Sequence, residues 1–92
     1  MQTQIIHPYI NKDRHIAGGK AIIIGTRTRV INIIAYHKLG YSAEELSREF
    51  PHLSLSKIYD ALSFYYENKT ELDKEIKSEQ ESSLLLHELD EH

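Results

Sequence analysis

From Val30 onward the apolar residues of this chain recur at spacings of three and four, whereas before it they come in brief runs. Ile5-Ile6 is closed by His7-Pro8; proline lacks the N–H that a central strand needs, so this run predicts an edge strand or an extended arm at most. Residues 11–15 read as a turn, and Gly18-Gly19 as a tight turn that tolerates positive φ. The short β-branched run at 21–24 predicts a strand, which with Ile16 would close a small hairpin. Val30, Ile33, Ile34 and His37 or Lys38 then share one helical face, predicting a helix over 30–39 that ends at Gly40 in a left-handed cap. Ser42-Ala43-Glu44-Glu45 has the form of a capping box and starts a helix over 43–50, with Leu46 and Phe50 four apart and Pro51 ending it. Ser54 caps a third helix over 55–67, along which Leu55, Ile58, Leu62 and Tyr65 or Tyr66 are spaced helically. Thr70-Glu71-Leu72-Asp73 is a weaker box, predicting a fourth helix, or a continuation of the third, to about residue 80. The last apolar cluster is Leu84-Leu85-Leu86 with Leu89, set among acids.

This pattern predicts a domain over 1–67 whose core is Ile33, Ile34, Leu46, Phe50, Ile58 and Leu62, followed by a helical or mobile tail over 68–92. Ninety-two residues suffice for one small domain with one modest core. Charge divides at the same place. Up to Lys57 there are eight Lys/Arg and four Asp/Glu, a net of +4; from Ile58 onward there are three and ten, a net of −7. A basic body suits contact with phosphates, and an acidic tail suits a cationic protein partner. The absence of cysteine fits a reducing cytosol and removes thiolate chemistry. No basic stretch followed by a long apolar run opens the chain, and no apolar run is long enough to span a bilayer, so the expectation is a cytoplasmic protein without a membrane role.

Catalytic and metal chemistry find little support. Gly19-Lys20 is followed by Ala21, which breaks the spacing and the hydroxyl that a phosphate-binding loop requires. The six histidines (His7, His15, His37, His52, His87 and His92) form no i, i+4 pair on a helix. No nucleophile stands beside an obvious base. The expectation is no enzyme, no cofactor, no metal and no small-molecule substrate.

Three short helices joined by tight turns fit a tri-helical helix-turn-helix domain, or equally a three-helix bundle without a nucleic-acid role. In the first case the third helix is the reader, and Ser54, Ser56 and Lys57 at its start face a groove. Thr26-Arg27-Thr28-Arg29 then crosses from the strand to the first helix. Thr28 is a candidate N-cap, and Arg27, Thr28 and Arg29 are candidate backbone contacts. For Arg27 an ion pair to Glu45 or Asp60 is the competing role. One short reading helix contacts few base pairs, which implies a homodimer.

The motifs Gly19-Lys20, Ile23-Ile24-Gly25-Thr26-Arg27, Val30, Gly40-Tyr41-Ser42, Glu44-Glu45-Leu46 and Phe50-Pro51-His52-Leu53-Ser54 resemble the DUF433 family across most of the chain. Ala21 stands where that family favours proline, and Thr28-Arg29 replace an apolar residue and proline. The resemblance implies a mainly α fold: a homeodomain-like helix-turn-helix with a short N-terminal β element and a C-terminal helical tail. It also implies an antitoxin of a type II toxin–antitoxin pair, which binds the operator DNA of its own operon and neutralises a PIN-like ribonuclease toxin. On that reading Leu72, Ile76, Leu84, Leu85, Leu86 and Leu89 are the candidate toxin-binding residues. The modest +4 of the body keeps a rival in view, a protein-interaction module that binds no DNA.

Overall fold

A computed structural model of the chain describes the backbone of residues 6–90 and the side chains of residues 6–81. It is mainly helical, with a two-stranded antiparallel sheet ahead of four helices: β1 (Ile10–Asn11), β2 (Ile22–Ile23), α1 (Val30–Lys38), α2 (Ala43–Glu49), α3 (Leu55–Glu67) and α4 (Lys69–Asp90). No described helix is long and apolar enough to cross a membrane.

The strand partner of β2 is not the neighbourhood of Ile16. Ile10 pairs with Ile23 and Asn11 with Ile22. Ile16 instead gives its carbonyl to Gly19 N (3.0 Å), starting a 3-10 turn over Ala17–Gly19, and so has no ladder to offer. Residue 28 does not cap α1 either. The Thr28 carbonyl still accepts from Ile23 N (2.9 Å), which keeps this segment against β2, and the N-cap is Arg29 in extended conformation. The other ends follow the local chemistry. Gly40, at φ +103°, closes α1: its N–H donates to the His37 carbonyl (2.9 Å) and Tyr41 N–H to the Tyr36 carbonyl (3.2 Å). The Tyr36 and Tyr41 rings meet at 5.1 Å, the apolar contact that accompanies this pair of bonds in a Schellman cap. Both halves of the Ser42–Glu45 capping box are formed, and Ser54 Oγ caps α3 by accepting from Lys57 N.

The core gathers Ile23, Val30, Ile33, Ile34, Leu46, Ile58, Ala61 and Tyr65 between β2 and the helices. Phe50 and Leu62, expected in it, lie at its margin. Phe50 has left the helical region ahead of Pro51 (φ −119°, ψ 71°) and packs edge-on against Tyr36 at 5.6 Å. α3 turns Ile58, Ala61 and Tyr65 inward, which puts Leu62 on a shoulder.

The first part of α4 packs on the helices before it. Asn68 breaks the helical path (φ −128°, ψ 33°), and its carbonyl accepts from Leu72 N (3.0 Å), so α4 starts one residue ahead of Thr70. Its first turns pack on α1 and α3. Leu72 and Ile76, four residues apart on one face, are only 3% and 8% exposed and belong to the core. Asp73 does not close a box with Thr70. Its carboxylate accepts from Lys38 Nζ (2.8 Å), Tyr65 Oη (2.7 Å) and Lys69 Nζ (3.0 Å). The Lys38, Tyr65 and Lys69 donors hold that carboxyl well below the usual carboxylate range.

Candidate nucleic-acid interface

The loop between β2 and α1 is built by its own threonine. Gly25, at φ +74°, turns the chain out of β2. Thr26 N–H and Oγ1 both donate to the Ile23 carbonyl (3.1 and 2.8 Å), and Thr26 Oγ1 accepts from Thr28 N (3.0 Å). These bonds stitch both sides of Arg27, which stands exposed at the tip. The acids that competed for Arg27 are engaged elsewhere. Glu45 completes its capping box, and Asp60 accepts from Tyr9 N (2.9 Å) and is hydrogen-bonded to His7 Nδ1 (2.9 Å). Among the described residues Arg27 forms no ion pair.

Thr28 Oγ1 and His52 Nε2 share a hydrogen bond of 2.7 Å. His52 lies in the turn between α2 and α3, two residues before the Ser54 cap. The 26–28 loop, which carries Arg27, is therefore fastened to the segment that leads into α3. Ser54 and Ser56 are exposed there, though Ser54 Oγ is committed to Lys57 N (3.3 Å). Lys57 is half-buried on the flank that it shares with Asp60, three residues on. The Thr28–His52 bond thus joins the loop of Arg27 and Thr28 to the turn that leads into Ser54, Ser56 and Lys57.

Arg29 is not part of this group. It reaches from the start of α1 to α4, donating to Glu75 Oε1 (2.8 Å) and pairing with Glu79, with its side chain 21% exposed. Burial works to lower the guanidinium's pKa, but the bonds and charges of Glu79 and Glu75 outweigh it and hold it above its ordinary value. The reason for the displacement is position: the N-cap of α1 faces the docked α4, not the α2–α3 turn. The acids of α4 also take Lys38, through Asp73, and approach Lys12, through Glu71 (3.9 Å). Three of the eight cations behind the +4 of the body therefore meet acids of this helix.

The proposed partner-binding leucines divide. Leu72 and Ile76 are covered by the chain's own core, because the helix they stripe packs back on α1 and α3. The side chains of Leu84, Leu85, Leu86 and Leu89 lie outside the described residues. Sequence spacing puts Leu55 on the apolar stripe of α3 with Ile58 and Leu62, and gives Tyr59 no part in it. Both are exposed on α3, at 42% and 52%. Their i, i+4 relation was visible; the phase of α3 that turns them outward was not. Among the described residues no group of three or more His, Asp or Glu side chains is placed to hold a metal ion.

The family model described as "Protein of unknown function (DUF433)" matches residues 10–65. The chain is also similar to the crystal structure of a DUF433 member protein from Anabaena variabilis ATCC 29413. The two are 30% identical, with a TM-score of 0.69, over 75% of this chain and 68% of the other. No match is found among curated proteins.

Proposed function

The chain belongs to the DUF433 family, and we propose that it is a DNA-binding antitoxin whose α2–turn–α3 unit acts as a homeodomain-like helix-turn-helix. The observation that supports this reading is the Thr28–His52 hydrogen bond, which fastens the loop of the exposed Arg27 to the turn that leads into α3. An arginine there fits a phosphate while the start of the helix enters the major groove. Arg27, Thr28, Ser56 and Lys57 are the contacting side chains, and Ser54 shapes the helix start. Arg29 is withdrawn from the set, because it is neutralised within the chain. The protein acts as a homodimer in the cytoplasm, on the operator of its own operon. The toxin-binding role, for a PIN-like ribonuclease, falls to the distal part of α4 and its Leu84, Leu85, Leu86 and Leu89, since Leu72 and Ile76 are unavailable.

A second reading, a protein-interaction module without DNA, is favoured by one observation. The ion pairs of Arg29, Lys38 and Lys12 with α4 leave fewer cations for phosphate than the +4 suggests.

A mobility-shift titration with the DNA upstream of the gene, at several salt concentrations, decides between them. Arg27→Ala and Lys57→Ala should each weaken binding to all sequences and lower the salt slope by about 1. Arg29→Ala should leave that slope unchanged. Wild-type protein that retains no DNA at low salt would favour the interaction module. Co-purification with the product of the adjacent gene, before and after deletion of residues 82–92, tests the toxin half of the proposal.

A further inference from the structure

The outward surface of α3 lacks the side chains that read purines. Guanine is read by Arg or Lys, and adenine by Asn or Gln. From Ser54 to Glu67 there is no arginine, asparagine or glutamine. The one cation, Lys57, is half-buried on a flank, and Asp60 is held by His7 and Tyr9. What the first two turns offer instead is apolar: Leu55 and Tyr59, one turn apart and both exposed, with Ser56 between them. The Tyr59 hydroxyl is drawn back toward α2 by a long hydrogen bond to Glu44 Oε1 (3.5 Å). The ring is thus the part of Tyr59 left to meet a ligand. The exposed Arg27 lies in the loop that Thr28 fastens to His52, in the turn before this helix.

In the major groove the apolar feature that distinguishes one base is the C5-methyl group of thymine. We propose that Leu55 and Tyr59 are specificity residues that select thymine-containing sites by packing on thymine methyl groups, with Ser56 as an adaptable polar contact. This rests on the DNA-binding reading of α3 given above.

The test separates the two ideas. The upstream fragment is amplified twice, once with dTTP and once with dUTP, so that the second product differs by loss of every thymine methyl. Wild-type protein should bind the uracil fragment about four- to sixteen-fold more weakly, about fourfold for each methyl group that the pair buries. The exposed substitutions Leu55→Ser and Tyr59→Ser, checked for retained helicity by circular dichroism, should each lose part of this preference, and the double variant all of it. Equal binding of the two fragments by the wild type overturns the thymine inference and leaves the DNA-binding reading standing. A preference that survives in the double variant overturns the assignment to Leu55 and Tyr59. If the wild type retains neither fragment, the DNA-binding reading itself falls, and this face of α3 serves a protein partner.

Discussion

Leu72→Ala measures whether α4 is part of the domain or an appendage to it. Leu72 is 3% exposed, in a core cluster with residues of α1 and α3. Truncating a leucine that deeply buried removes its transfer free energy and leaves a cavity, at a cost of about 2–5 kcal/mol. For a domain of 60–100 residues, 1 kcal/mol moves the thermal midpoint by roughly 4–8 °C. Even the smallest cost therefore lowers the midpoint by about 8 °C. Thermal unfolding followed by circular dichroism at 222 nm, with urea unfolding alongside, reads this directly. Lys77→Ala on the exposed side of the same helix is the control, expected within about 0.5 kcal/mol of wild type. A Leu72→Ala midpoint within about 2 °C of wild type would refute the docking of α4 on α1 and α3. The same reasoning moves the useful truncation point. A cut before Glu71, which the sequence pattern suggested would leave a folded body, removes Leu72, Ile76 and the acids that pair with Arg29 and Lys38. It should destabilise the domain, whereas a cut after Glu81 should spare it.

Two further expectations follow from the α1–α4 contact. Asp73 has its folded-state pKa depressed by Lys38, Tyr65 and Lys69, so its contribution is complete above the ordinary carboxylate pKa and is lost as pH falls through the folded-state value. Stability should drop from about pH 4 downward, and Asp73→Asn should flatten that part of a pH–stability profile; an identical slope in the variant would count against the three bonds. Arg29→Ala leaves the largely buried Glu75 carboxylate without its partner and should cost about 1–3 kcal/mol by urea unfolding. Arg27→Ala, at an exposed tip, should stay within about 0.5 kcal/mol, and equal costs for the two would contradict their different placement.

Local chemistry was enough to determine most of the helical framework. Ser42 and Glu45 bond each other's backbone within four residues, Gly40 relieves a positive φ, and Ser54 satisfies Lys57 N; none of these needs a distant partner, and the predicted bounds of the first three helices agree with the observed ones to a residue, whereas the fourth, expected to end near residue 80, runs on to Asp90. The stripe of Ile33, Ile34, Leu46 and Ile58 was legible for the same reason, since periodicity marks the face to be buried. What depends on a partner far along the chain was not legible. The strand that pairs with β2 is chosen across a connection that spends its own hydrogen bonds in a 3-10 turn. Leu72 and Ile76 read equally well as a free stripe or a buried one until the packing of α4 decides. Arg27 and Arg29, two residues apart and chemically identical, part ways because one stands at the tip of a stitched loop and the other faces Glu75 and Glu79, 46 and 50 residues along the chain. A charge count assigns both to the same surface; only the direction in which each leaves the backbone separates them, and that direction is a property of the assembled helices.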